Sequence, residues 1–297
     1  MKNCPNTYTY SKALAEGIVS EEMNNLPICI MRPSIVVPIW KDPLPGWTDN
    51  LYGPTGLLIA AGKGILRSMF CDPQGFADFV PADIVANAFI CVAWYFLQNR
   101  DVQIYNLTST AEIRVTWGEI IDMGKKIAAK DMPFNWVVWY PGGSIKTSRL
   151  LHEICAIFLH YIPAIFLDSL IVLTGNKPVL WKVHQKIRGG SELLEYYVHR
   201  KWEFSSDNGQ ATRKVFNENE KKIYPLDKTG LDIYNYFYNA THGARLYLLK
   251  ESDETLPTAR RHMNVMWAVD RICKVLLLFG LLYFLFTYVF KPALEIQ

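Results

Sequence analysis

The chain has 297 residues, 50% of them hydrophobic and 20% charged, ordinary globular material for about two domains. Its 31 Lys and Arg against 28 Asp and Glu leave a formal charge of +3, too small to argue for nucleic acid as a partner. The six cysteines, Cys4, Cys29, Cys71, Cys91, Cys155 and Cys273, contain no C-x-x-C pair and read as reduced thiols in a cytosol-facing protein rather than as a disulfide framework.

The opening "MKNCPNTYTY" has no apolar run and so no signal peptide. From Tyr8 to about Asn25 the periodicity predicts a helix that buries Ala13, Leu14, Gly17, Ile18 and Val19 and exposes Glu21 and Glu22. "ICIM", Ile28 to Met31, is a short apolar run of the kind a parallel strand shows when both its faces are covered. A proline- and glycine-punctuated loop region follows, "PLPGWTDNLYGPTG". "DFVPADIVANAFICVAWYFL" predicts strand, turn and helix, with Asp83 as helix cap before the face Ile84, Ala88, Cys91, Val92 and Tyr95, and "IYNLTS" predicts another strand. Helix alternating with apolar strand makes this part α/β with a parallel sheet.

Beyond Thr110 the signals become helical, through "TWGEIIDMGKKIAAK" and "LLHEICAIFLHYIPAIFLDSLIVLTG". Pro163 lacks a backbone donor, so the second stretch is expected as two helices meeting there rather than as one membrane span, either buried in a second domain or forming a hairpin that dips into the bilayer or lines an acyl pocket. In "WKVHQKIRGG", Lys182, His184, Lys186 and Arg188 form either a solvated face or a contact for phosphates. Trp202 and Phe204 of "KWEF" read as packing residues. The six histidines show no metal-ligand spacing and H-E-x-x-H is missing, so no metal is expected. The uncharged run Val275 to Phe290, between Lys274 and Lys291, predicts a transmembrane helix over 272–291. Arg260, Arg261, Arg271 and Lys274 upstream of it place the body of the chain in the cytosol, anchored through its C-terminus to a membrane and in contact with membrane lipid, with only Pro292 to Gln297 beyond the span.

Tyr8 and Lys12 are four positions apart and share a helical face. A phenol is a weak acid at neutral pH, and a neighbouring ammonium favours its phenolate form. Such a pair suits proton delivery to a carbonyl oxygen as hydride reaches the carbon.

The order of the Tyr8–Lys12 helix, the buried strand and "RPSIVVP" (Arg32 to Pro38) resembles the extended short-chain dehydrogenase/reductases. More narrowly, "PNTYTYSKALAE", "RPSIVVP", "GPTG" with "AAGKG", "FVPADIVANA", "YIPAIFLD", "VLWKVHQKIRGGSELLEYYVHRKWEF" and "TLPTARRHMNVMWAVDRICK" together resemble the fatty acyl-CoA reductases, the family that includes the male-sterility proteins. The resemblance implies Tyr8 as proton donor, Lys12 as its partner and ribose ligand, and Pro33, Ser34 and Ile35 along the nicotinamide. It implies reduction of a long-chain fatty acyl-CoA to a fatty alcohol with two NADPH, through an aldehyde and with release of CoA, at an endoplasmic reticulum or peroxisomal membrane. The architecture it implies is the C-terminal part of a Rossmann-like reductase domain at 1–140, a helical domain at 141–260 and the membrane helix at 272–291. A glycine-rich phosphate loop of the T-G-x-x-G-x-x-G kind is expected before the catalytic helix and none precedes Tyr8. The glycines of "GPTGLLIAAGKG" follow that helix and lack a preceding apolar strand, so they do not replace it. The chain taken by itself is therefore expected to be an inactive portion of such an enzyme. The competing readings are a membrane reductase acting on sterols and a non-catalytic membrane-anchored product that binds lipid or a partner.

Overall fold

The computed structural model describes residues 4–108 and 112–291, with the backbone alone of Val289 and Phe290. Helix α1 (Thr7–Glu22) is capped by Asn6, whose side chain accepts from the Thr9 amide at 2.9 Å. It leads to β1 (Ile30–Pro33) and β2 (Ile35–Val37), and then to α2 (Pro54–Gly62), β3 (Ser68–Phe70), β4 (Phe79–Pro81), α3 (Ala82–Gln98) and β5 (Ile104–Leu107). Every ladder between named strands is parallel, as expected, but the strands form three separate pairs, β1 with β5, β2 with β4, and β3 with β6 (Ser144–Lys146). Parallel neighbours require long crossovers, and α2, α3 and α4 (Trp117–Lys126) occupy them.

A core of Val37, Trp40, Val80, Ile84, Ile120 and Ile127 closes around Tyr236 and Phe237 of α10 (Ile233–Gly243), below. The segment after β2 meets α10 at backbone distance. A Cβ on Gly46, whose φ is +78°, would strike the Asn239 carbonyl, and one on Gly243 would strike that of Gly46, so both positions require glycine.

Several local expectations are corrected. α1 buries none of its residues, and Leu14 and Ile18 are exposed, because its described ties to the body are polar: Arg32 to Glu16, and the Gln103 side chain to the Met23 carbonyl. Asp83 does not cap α3, which starts after Pro81. Its carboxylate instead accepts from the Trp40 and Lys41 amides at 3.0 and 2.9 Å and holds the loop after β2.

The helical half begins with α5 (Arg149–Ala156), a π-helical turn at Ile157–Tyr161 and α6 (Ile162–Leu173). The expected break at Pro163 is absent, since the wide turn before it absorbs the missing donor. The resulting helix, Arg149–Leu173, is mostly exposed, and among the described residues it is the one long and apolar enough to cross a membrane. One flank is nonetheless docked. His152 meets Ser68, His160 accepts from the Arg67 and Ser68 amides, and Asp168 accepts from the amides of Val179, Leu180 and Trp181 at the start of α7 (Leu180–Val198). It therefore reads as a surface helix.

Helices α8 (Asp207–Val215), α9 (Glu218–Ile223) and α10 lead to α11 (Leu256–Leu285), continued by a π-helical turn at Phe286–Phe290. Asp270, buried on α11, accepts from Trp139 at 2.7 Å and from Lys274 at 2.6 Å, and pairs with Arg67 at 3.5 Å. The C-terminal crossing expected at 272–291 is not found among the described residues. Its uncharged stretch of sixteen residues is about 24 Å long at helical rise, short of the ~30 Å hydrocarbon layer. Residues 292–297, expected beyond it, lie outside the described residues.

His160 yields a pH prediction. Burial, followed by the nearby His184, His152 and Arg67, pulls its pKa down to about 4, and its Nε2 must stay unprotonated to accept the Arg67 and Ser68 amides. An unfolded histidine takes up a proton near pH 6.5. Stability is therefore full above about pH 6.5 and falls by on the order of 3 kcal/mol as pH drops towards 4. Urea titrations at stepped pH should show this slope in the wild type and a shallower one in His160→Gln.

Candidate active site

The site is built where β1 gives way to β2. At Ser34, between the two strands, the chain passes from one ladder to the other: its amide donates to Leu107 of β5 at 3.0 Å, and the next amide, of Ile35, donates to the Asp78 carbonyl at 3.1 Å. Its hydroxyl donates to the Asp78 carbonyl and carboxylate at 2.9 and 3.1 Å. The expected cofactor-bordering residues Pro33, Ser34 and Ile35 thus lie at the carboxyl end of a parallel strand, where open α/β sheets bind their ligands.

Tyr8 and Lys12 share a face of α1, with the Lys12 ammonium 5.9 Å from the centre of the Tyr8 ring. Tyr8 is 69% exposed, and neither its hydroxyl nor the Lys12 ammonium has a hydrogen-bond partner among the described residues. Both polar tips are free to meet a cofactor or substrate. Glu16, one turn beyond Lys12, binds Arg32 of β1 in a two-pronged ion pair, which ties the Tyr8 helix to the strand that ends just before Ser34.

Two residues past Ile35, Val37 and Pro38 enter the wall of an apolar cavity of about 1050 Å³ including its open mouth. Helices α2 and α4 supply Leu57, Leu58, Ile120 and Gly124, and α10 supplies Tyr236 and Phe237. The segment "GPTGLLIAAGKG", which fails as a phosphate loop, has another role. It forms α2, whose apolar residues line the cavity, and an unbroken Leu-Leu-Ile-Ala-Ala run is the only sign of this in the sequence.

A second cavity, of about 780 Å³, lies between β3, α5 and α7. His160 and His184 stack in it at 5.2 Å, and the Ser68 hydroxyl is 2.8 Å from His152 Nδ1. Spacing in sequence gives no sign of this cluster. His184 is buried there and Arg188 is paired with Glu192 at 2.9 Å, so of the four residues considered for phosphates Lys182 and Lys186 are the exposed ones without an ion pair among the described residues. Trp202 is half-buried and stacks on Phe204 at 6.0 Å, but Phe204 is itself exposed, so the packing role expected of both does not hold for Phe204. Lys228 also escapes the sequence patterns. It is buried, donates to the Phe79 carbonyl at 2.8 Å, and is pulled down to about 8 by that burial against the influence of Glu112 and Asp78.

Comparison with known proteins bears on this geometry. Two family models described as male sterility protein match the chain, an NAD-binding one at residues 1–89 and the Sterile one at residues 159–251. Fatty acyl-CoA reductase 1 of Rattus norvegicus is 38% identical over 262 residues, 88% of this chain and 51% of that protein. Fatty acyl-CoA reductase wat of Drosophila melanogaster is 34% identical over 86% of this chain and 50% of its own length, and fatty acyl-CoA reductase 2 of Bos taurus is 37% identical over 88% and 51%. The chain spans about half the length of these curated relatives.

The Ser34 junction is testable by itself. Ser34→Ala removes a donor to Asp78 and should cost about 1 kcal/mol in urea unfolding, whereas Ser34→Thr, which keeps the hydroxyl, should recover most of the loss.

Proposed function

We propose that this chain, which belongs to the fatty acyl-CoA reductase family, carries the proton-transfer and acyl-binding part of an enzyme that reduces long-chain fatty acyl-CoA to a primary alcohol with NADPH. The observation that carries the reading is the pairing of two unengaged polar tips, Tyr8 and Lys12, on a helix tied through Glu16 and Arg32 to β1, whose continuation past Ser34 reaches the wall of an apolar cavity at Val37 and Pro38.

A nicotinamide cofactor, when bound, would supply hydride to the thioester carbon, where the C–S bond then breaks and CoA leaves as a thiol once protonated, and a second reduced cofactor would supply hydride to the aldehyde carbon. The Tyr8 hydroxyl gives a proton to the carbonyl oxygen as negative charge gathers there. The Lys12 ammonium offsets the charge left on the phenolate and is free to hold a ribose hydroxyl. Pro33, Ser34 and Ile35 would border the nicotinamide ring. Their backbone is fixed by Leu107 and Asp78, so the wall costs no reorganisation during the reaction. NADPH rather than NADH is part of the proposal, as are the acyl-CoA substrate and the division of the chain into 1–140 and 141–260.

We place the exposed apolar surfaces of Arg149–Leu173 and of Val275–Tyr288 against a membrane from the cytosolic side. Arg260, Arg261 and Arg271 stand exposed on the same helix as the second surface, as expected of a face that meets anionic headgroups. A long-chain substrate and product partition into that membrane, which gives the location a purpose.

The test is acyl-CoA-dependent oxidation of NADPH, with the alcohol identified by mass, using the longest form of the protein that its transcript encodes. Tyr8→Phe should lower the rate about 100-fold or more, and Lys12→Met should lower it while also raising the KM for NADPH. Alcohol formation undiminished in Tyr8→Phe would remove Tyr8 from the proposal.

A further inference from the structure

We infer that the apolar cavity holds the hydrocarbon chain of the substrate, and that the wall of Leu57, Leu66 and Met69 at its inner end sets the longest chain accepted. The identity of the occupant rests on the reductase reading; its place rests on the cavity.

The walls exclude other occupants. Lys125 is the one charged side chain among the lining residues, and it is paired with Asp122 at 3.1 Å. The Ser68 hydroxyl is engaged by His152 at 2.8 Å, and the Tyr236 hydroxyl donates to the Pro38 carbonyl at 2.7 Å. The hydroxyls of Ser68 and Tyr236 are thus already used, and Thr55, Ser144 and Trp117 add the few other polar side chains of the lining. A nucleotide or a phosphate-bearing headgroup would bury most of its acceptors there without partners, and water would find few. A plain methylene chain loses nothing by entering.

Direction follows from the lining. Val37 and Pro38 continue the segment that contains Ser34, so the reacting end of a chain would sit at that side. At the other side Leu57, Leu66, Ser68 and Met69 line this cavity and the histidine-lined one alike. The partition separates a dry space from one walled by His152, His160, Arg149, Glu153 and Glu195. A chain that passed the partition would exchange apolar contacts for charged and imidazole groups, so its favourable length ends there.

Gly124 keeps the passage open. A Cβ at this position would come 3.2 Å from Leu58 Cδ1 and nothing else within 4 Å, so a larger side chain is accommodated by displacing a flexible leucine tip and filling the space.

The experiment is binding of straight-chain primary alcohols of graded length to the purified chain in lipid nanodiscs, read by displacement of a fluorescent fatty-acid probe. Alcohols carry no CoA and need no cofactor, so the result is separate from the reductase assay: binding without reduction by any form would sink the reductase reading and leave the cavity assignment standing. In the wild type, affinity should rise about fourfold per added methylene and then level off at a limiting length. Gly124→Leu should shorten that limit and weaken the longest alcohols about tenfold or more, while Met69→Ala should lengthen it. Circular dichroism on both variants checks the fold, and Leu57→Ala replaces Met69→Ala if the latter fails to fold. An unchanged limiting length in folded variants, or no displacement by any alcohol, would overturn the inference.

Discussion

The passage of the chain at Ser34 from one ladder to the other is the constraint on which the rest of the site depends. One backbone step separates a strand paired with β5, more than 70 residues later in the chain, from a strand paired with β4. Both bonds at the step are made to carbonyls of other segments, Leu107 and Asp78. The step cannot shift without breaking one ladder, and a slip by one residue would turn every side chain of β2 to the opposite face. Val37 would then leave the core it shares with Val80, Ile84 and Phe237.

From that fixed point the chain runs outward in two directions. Backwards, Arg32 and Glu16 join β1 to the helix that carries Tyr8 and Lys12. This pair is half exposed, so it orients the helix more than it stabilises it. Forwards, β2 leads into a cavity whose remaining walls come from α2, α4 and α10. Residues near 37, 58, 124 and 237 therefore meet, and the parts of the chain matched by the two separate family models share one core. Buried charges secure the seams. Glu251 accepts from Lys63 and the Asn135 amide at 2.8 Å each, with Arg245 alongside at 3.4 Å, and Asp270 gathers Trp139, Lys274 and Arg67. Each carboxylate would be costly without those donors.

What was legible in the sequence was local. The four-residue spacing of Tyr8 and Lys12 put them on one face because a helix fixes that relation by itself. The run 104–107 and the face Ile84, Ala88, Cys91 and Val92 are legible for the same reason, whereas the strand expected at 28–31 with both faces covered forms at Ile30–Pro33 and buries none of its residues. Burial of α1 was misjudged because periodicity states which side is apolar, not whether anything lies against it. The cap assigned to Asp83 failed because the loop after β2 competed for its carboxylate. The helix at Pro163 ran on because a π-helical turn absorbed what a regular turn could not. The His152–His160–His184 cluster and the role of α2 depend on contacts between segments far apart in the chain, which no local pattern encodes.

The most direct test of the account follows the hydride. NADPH carrying deuterium at the transferable C4 position would be supplied with a long-chain acyl-CoA, and the alcohol product analysed by mass. The account predicts two deuterium atoms on the terminal carbon, one from each reduction, with free CoA in equal amount to the alcohol. Alcohol or aldehyde without deuterium, or CoA released with only fatty acid formed, would contradict it.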